Sequence, residues 1–70
     1  MKLGKYRHYK WSICEVIGIG KHTETWEDMV VYNHHEENGE LNLRVRPLKI
    51  FQEKDMVDGK EVERFAYIGE

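Results

Sequence analysis

The stretch Met29-Val30-Val31-Tyr32-Asn33-His34-His35-Glu36-Glu37-Asn38-Gly39-Glu40-Leu41-Asn42-Leu43-Arg44-Val45-Arg46-Pro47 decides how this chain folds. Its first four residues are apolar on both sides of an extended backbone, which predicts an internal strand. Leu41 to Arg46 alternate apolar with polar. That period of two predicts a second strand, with Leu41, Leu43 and Val45 turned inward and Asn42, Arg44 and Arg46 outward. Between the two runs lies Asn38-Gly39, a pair that tolerates positive φ and so marks a turn. The two strands are expected to form a hairpin around that loop. Pro47 has no amide hydrogen and ends the ladder.

Further strand signals flank this hairpin. Lys5-Tyr6-Arg7-His8-Tyr9-Lys10 is rich in residues that favour extended backbone. Ser12 to Ile19 alternates, with Ile13, Glu15, Ile17 and Ile19 on one side and Cys14, Val16 and Gly18 on the other. Gly18 and Gly20 suggest a bulge or a close backbone approach at the strand end. Lys21 to Asp28 reads as a polar connection. Pro47-Leu48-Lys49-Ile50-Phe51 suits a single helical turn, because proline is tolerated at its start. Asp58-Gly59 is a second hairpin signal, joining Glu53–Val57 to Glu61–Ile68. No long stripe of period 3.6 exists. The fold class is therefore mostly β: a small, strongly bent antiparallel sheet or half-open (SH3-like) barrel of about five strands with one short helical turn. Residues 1–70 make a single domain.

Composition narrows the function. A chain of 70 residues with one cysteine, Cys14, has no disulfide framework of its own and must rest on its large apolar side chains. Charged residues make up 34% of the chain, yet the net charge is only −2, so binding nucleic acid through bulk charge is disfavoured and a local basic face is needed instead. The longest apolar run, Met29 to Tyr32, is far short of the ~20 residues of a membrane span. The opening residues lack the apolar segment of a signal peptide. These features, with the single thiol, point to a cytoplasmic location and away from membranes.

Taken together, several segments resemble one family of short bacterial proteins. They are Lys5-Tyr6-Arg7-His8-Tyr9-Lys10, Cys14-Glu15-Val16-Ile17-Gly18, His22-Thr23-Glu24-Thr25 and Val30-Val31-Tyr32. Val45-Arg46-Pro47-Leu48 with Phe51, and Val57-Asp58-Gly59-Lys60 with Arg64-Phe65, follow in the same order. The family is domain-of-unknown-function family 1653, and the resemblance covers nearly the whole chain. It implies a stand-alone bacterial domain with a small β fold, and it implies no reaction. Two positions depart from its pattern. Trp11-Ser12 replaces an expected Gly-Asn turn, so the first hairpin turns by another geometry. Trp26 replaces an expected leucine, which suggests an apolar site roomy enough for a larger ring.

Six residues form the candidate ligand-binding set: Tyr6, His8, His22, Glu24, Arg44 and Arg46. Tyr6 and His8 share one face of a strand. Arg44 and Arg46 share another, about 7 Å apart along the strand. Two guanidinium groups on one side suit a phosphate or carboxylate, and aromatics beside them suit a stacked base. The competing reading is a solvated face whose arginines pair with glutamates and cover apolar surface with their stems. The leading function is a binding module for an anionic ligand (a nucleotide or RNA) or a protein partner. The first alternative is an interaction module that self-associates, as a homodimer for example, through apolar sheet surface and strand edges. The second is a small enzyme using His8, His22 and Glu24. Binding ranks above catalysis because a chain this short rarely encloses a pocket of ~300 Å³. No cofactor motif is present, and His8, Cys14, His22 and His34 lack the short spacings of a zinc set, so neither a cofactor nor a metal is expected. Cys14 reads as a core residue rather than a nucleophile. Trp11 is either an exposed contact residue at a hairpin tip or a lid folded over the core.

Overall fold

Seven strands and one short helix form within residues 1–10 and 12–69, the part of the chain that the computed structural model describes. They are β1 (Gly4–His8), β2 (Ile13–Lys21), β3 (Asp28–His35), β4 (Leu41–Pro47), α1 (Leu48–Phe51), β5 (Lys54–Val57), β6 (Lys60–Glu63) and β7 (Phe65–Gly69). Five strands make one antiparallel sheet in the order β4-β3-β2-β1-β7, and β5 pairs with β6 in a separate ribbon. The sheet does not close into a barrel, because β4 and β7 remain separate edges. Trp11 lies outside the described residues, and with it the choice between a contact residue and a lid.

Turn chemistry works as the sequence indicates. The β3–β4 loop puts Gly39 at φ 87°, and Asn38 Oδ1 accepts the Glu40 amide at 3.0 Å. The β5–β6 hairpin turns on Asp58 (φ 52°) and Gly59 (φ 77°), the positive pair that a two-residue hairpin needs. Pro47 ends β4 with an extended ψ of 136° and hands the chain to α1. Arg64 breaks the expected strand Glu61–Ile68 in two. Its amide donates to the Glu53 carbonyl at 3.2 Å, and its own carbonyl accepts the Tyr9 amide at 3.1 Å. Its guanidinium grips Asp55 with two bonds of 2.9 Å. Arg64 thus ties the ribbon to the sheet.

A single-residue bulge at Ile17 shifts the β2–β3 register: Val16 opposes Tyr32, whereas Gly18 opposes Val31. Beyond it, Ile19 opposes Val30 and joins the inner face, so the expected row Ile13, Glu15, Ile17, Ile19 is broken by one extra residue. Gly18 and Gly20 have open space where a Cβ would stand, so neither marks a close backbone approach.

The core lies on one face of the sheet. Tyr6, Cys14, Val16, Val30 and Tyr32 are buried there under Phe51 of α1, with Leu48 and Phe65 against them. Phe65 stacks on Phe51 at 4.1 Å between ring centres, and Tyr6 meets Phe51 edge-on at 5.4 Å. Register then corrects the reading of β4. Arg44 opposes the buried Tyr32 and Arg46 the buried Val30, so both arginines share the core face. Leu41, Leu43 and Val45 take the opposite face and are exposed, Leu43 by 62%. The physical reason is that the inner space is already filled by aromatic rings from the helix and β7, which leaves the edge strand's inner side to long amphipathic chains.

Candidate functional site

Arg46 shows how far the sheet bends. Three strands separate β4 from β7, a span of about 19 Å in a flat sheet. Yet the Arg46 guanidinium carbon lies over the Phe65 ring of β7, 5.4 Å from its centre. The sheet curls around Phe51, and Arg46 closes the open side. Phe65 therefore has Phe51 stacked on it, Arg46 above it and the His8 ring edge-on at 5.0 Å. Tyr9 lies beside His8 at 4.6 Å.

Arg46 is half-buried, and among the described residues it makes no salt bridge and no side-chain hydrogen bond. A guanidinium carries five N–H donors, so these stay available to an acceptor from outside. His8 is held in a defined tautomer. Its Nδ1 accepts the Lys10 amide at 3.1 Å, which puts the proton of the neutral ring on Nε2. Burial, followed by the charges of Arg46 and Arg64, lowers the His8 pKa below its ordinary value. This patch is cationic, and an anion docking there would reverse the penalty on charging His8.

The other candidates divide between packing and turns. Tyr6 is a core residue, and its hydroxyl donates to the Lys2 carbonyl at 2.6 Å. Burial raises its pKa most strongly. Arg44 is committed to Glu36 at 2.8 Å, and Asn42 also donates to that carboxylate at 3.0 Å. The bond from Asn42, together with Arg44, lowers the Glu36 pKa. The two arginines therefore do not act as a matched clamp: Arg44 is spent and Arg46 is free. Cys14 is buried under the same side chains, and its thiol is pushed up to about 11 by burial, against a smaller opposing pull from Arg46.

His22 and Glu24 sit at the far end of β2, a nine-residue strand away from the His8 end of the sheet. They belong to an exposed loop closed by His22 N–H to the Glu27 carbonyl at 2.8 Å. His22 Nδ1 accepts the Glu24 amide at 3.1 Å, and Thr25 Oγ1 accepts the Glu27 amide at 3.3 Å. The structure thus does not bring His22 and Glu24 to His8, and the catalytic trio is not assembled within one chain. Trp26 in this loop has φ 61° and is 71% exposed, which overturns the expectation of an apolar seat for its ring. His34 and His35 lie in β3 and so face opposite sides of the sheet, His34 beside Cys14 and Asn42, His35 beside Leu41. Among the described residues, no three His, Cys, Asp or Glu side chains gather in a metal-holding group.

Sequence reading missed Phe65, Tyr9 and Lys10 as members of the site. Tyr9-Lys10 directly follows the strand that carries His8, in the turn beyond it, and Arg64-Phe65 was visible as a dipeptide. What a linear pattern lacked was the curl that brings β7 to β4. A larger, open groove of about 1100 Å³ runs across the ends of two hairpins past Lys5, Lys10, His34, Glu36, Glu37 and Glu40. Its lysines and carboxylates offset one another, so it has no preference for an anion.

Comparison with known proteins gives a family and a fold. The family model described as "Protein of unknown function (DUF1653)" matches residues 4–67. The chain is similar to the crystal structure of a DUF1653 protein from Bordetella bronchiseptica, with a TM-score of 0.87 and 33% identity over 99% of this chain and 88% of that one. Among curated proteins, none matches the chain.

Proposed function

Because this chain belongs to the DUF1653 family, which carries no assigned activity, its role must be read from its own surface, and we propose that it is a binding module that takes the phosphate of a nucleotide or RNA at Arg46 and His8. The observation that carries this reading is Arg46: a half-buried cation stacked on Phe65, with no acceptor among the described residues. An exposed arginine without a partner is ordinary. One that is partly desolvated and fixed over an aromatic face has already lost some hydration and rotamer freedom, so less is lost when an oxyanion binds. Beside the Arg46 guanidinium, His8 Nε2–H supplies a further donor next to the Phe65 ring, and Lys10 adds charge next to it. The half-buried Tyr9 ring gives a base a surface to stack on.

The test is an NMR titration at low salt with inorganic pyrophosphate, adenosine monophosphate and a short single-stranded RNA. The expected result is a shift of the His8 ring signals that saturates, with tighter binding as pH falls below the ordinary histidine range, because burial and the charge of Arg46 delay the protonation of His8. Arg46→Gln should weaken binding at least about tenfold, as loss of a charge-assisted hydrogen bond does. If RNA is the ligand, the same change also lowers the slope of affinity against salt by about one charge. Silence of the His8 signals toward all three ligands at low salt overturns the reading.

A further inference from the structure

The inner side chains of β4 are accounted for by Tyr32, Glu36 and Phe65, but its outer face and its backbone edge are not. β4 has seven residues and stands at the end of the sheet, with β3 as its single neighbour among the described residues. The Glu36 amide donates to the Glu40 carbonyl at 2.8 Å, making residues 36 and 40 a hydrogen-bonded pair of the hairpin. In an antiparallel ladder bonded pairs alternate, so the amides and carbonyls of Asn42, Arg44 and Arg46 point toward β3. Those of Leu41, Leu43 and Val45 point outward to solvent. The same three residues expose their side chains, by 58%, 62% and 58%. An open edge and an apolar row therefore coincide on one strand.

We propose that β4 pairs antiparallel with β4 of a second copy of this chain, about a two-fold axis through Leu43. The register follows from the sequence. With Leu43 opposite the partner's Leu43, Leu41 meets the partner's Val45, so every outward amide and carbonyl of these residues finds a mate. On the other face, Arg44 meets the partner's Asn42, and Arg46 stands at the register position opposite the partner's Glu40, which sets unlike charges near one another twice by symmetry while the Arg46 guanidinium stays over Phe65. Sliding one way sets Arg44 directly against the partner's Arg44 and places Leu41 against Pro47, which has no amide hydrogen to give. Sliding the other way puts Val45 against Gly39, a turn residue at φ 87° outside the strand. One register satisfies charge, hydrogen bonding and apolar pairing together. The other edge of the sheet is less suited: β7 has five residues, its pairing with β1 is irregular at Lys5/Tyr6, and Gly69 has φ 133°. A strand pair of this length is a small interface, so the dimer should be concentration-dependent.

Sedimentation equilibrium tests this directly. The mass should climb from 8.4 kDa toward twice that value as concentration rises. A mass fixed at 8.4 kDa up to the solubility limit overturns the proposal. Leu43→Pro removes an outward amide and spares the bonds to β3, so it should give a folded monomer; if it does not fold, Leu43→Lys serves, by opposing two like charges on the axis. A dimer that survives the folded variant is the wrong dimer. The register is read with a short bismaleimide. Leu43→Cys should cross-link readily, because residue 43 faces its own copy, whereas Leu41→Cys should not, because residue 41 faces residue 45. Equal cross-linking at 41 and 43 overturns the register. The buried Cys14 should not react in either variant.

Discussion

The two faces of this sheet are built from different side chains, and the difference is not the one that hydrophobicity alone suggests. The inner face holds Tyr6, Tyr32, Phe51 and Phe65 with arginines laid along its rim. The outer face holds the aliphatic row Leu41, Leu43 and Val45, and it is exposed. A small domain has few positions at which burial is complete, and aromatic rings use them best because each removes much area from water while costing little rotamer freedom. Aliphatic residues left over at an edge are then free to serve contacts beyond the chain. Orientation in β4 is thus set by what the centre of the sheet has already filled.

Mutation can break this contrast most sharply at Phe51. It is 1% exposed and touches Tyr6, Tyr32 and Phe65. Phe51→Ala should cost about 3–5 kcal/mol. That is comparable to the entire stability expected of a domain this size, so urea titration should show no cooperative transition. A variant that unfolds like the parent would mean that the inner face is not the core.

An intermediate effect is expected from pH. The Cys14 thiol is pushed up to about 11 in the folded chain. An unfolded cysteine ionises near ~8.5. With the folded pKa raised, this group's contribution is fully present below the unfolded value and is lost as pH climbs toward the folded one. The melting temperature should therefore fall across that window, and less steeply in Cys14→Val. Iodoacetamide at pH 8 should label the native protein far more slowly than the urea-unfolded one. Fast native labelling would place Cys14 at the surface.

The smallest effect belongs to the outer face. In dilute solution Leu43→Ala should change stability by no more than about 0.5 kcal/mol, as surface substitutions do. A loss beyond about 1.5 kcal/mol would show that Leu43 is covered within its own chain.

How much of this was legible depends on how locally each feature is encoded. The Asn38-Gly39 and Asp58-Gly59 turns were readable because a positive φ is a demand met by those residues themselves. The end of β4 at Pro47 was readable for the same kind of reason. The inward side of β4 was not, since alternation defines two faces without saying which meets the core. Gly18 and Gly20 signalled a bulge near the end of β2, but not that the extra residue is Ile17, because that residue is itself apolar and fits the alternation. The candidate site was half legible. Arg46 and His8 stood out by type, but the commitment of Arg44 to Glu36 depends on hairpin geometry, and the Phe65 platform depends on the curl of the whole sheet.

The pairing of β1 with β7 also governs when the fold can form. Tyr6 lies opposite Tyr67, across almost the whole described sequence, whereas β2, β3 and β4 form a meander of local hairpins. The meander can assemble early, since its loops close over short spans of chain. β1 cannot gain its second neighbour, nor Phe51 its stacking partner, until Phe65 to Gly69 arrive. A nascent chain leaving the ribosome would thus carry an open aromatic face until β7 has emerged. Folding should then begin in the local meander and finish with a late closure by β7, rather than grow stepwise from the first strand.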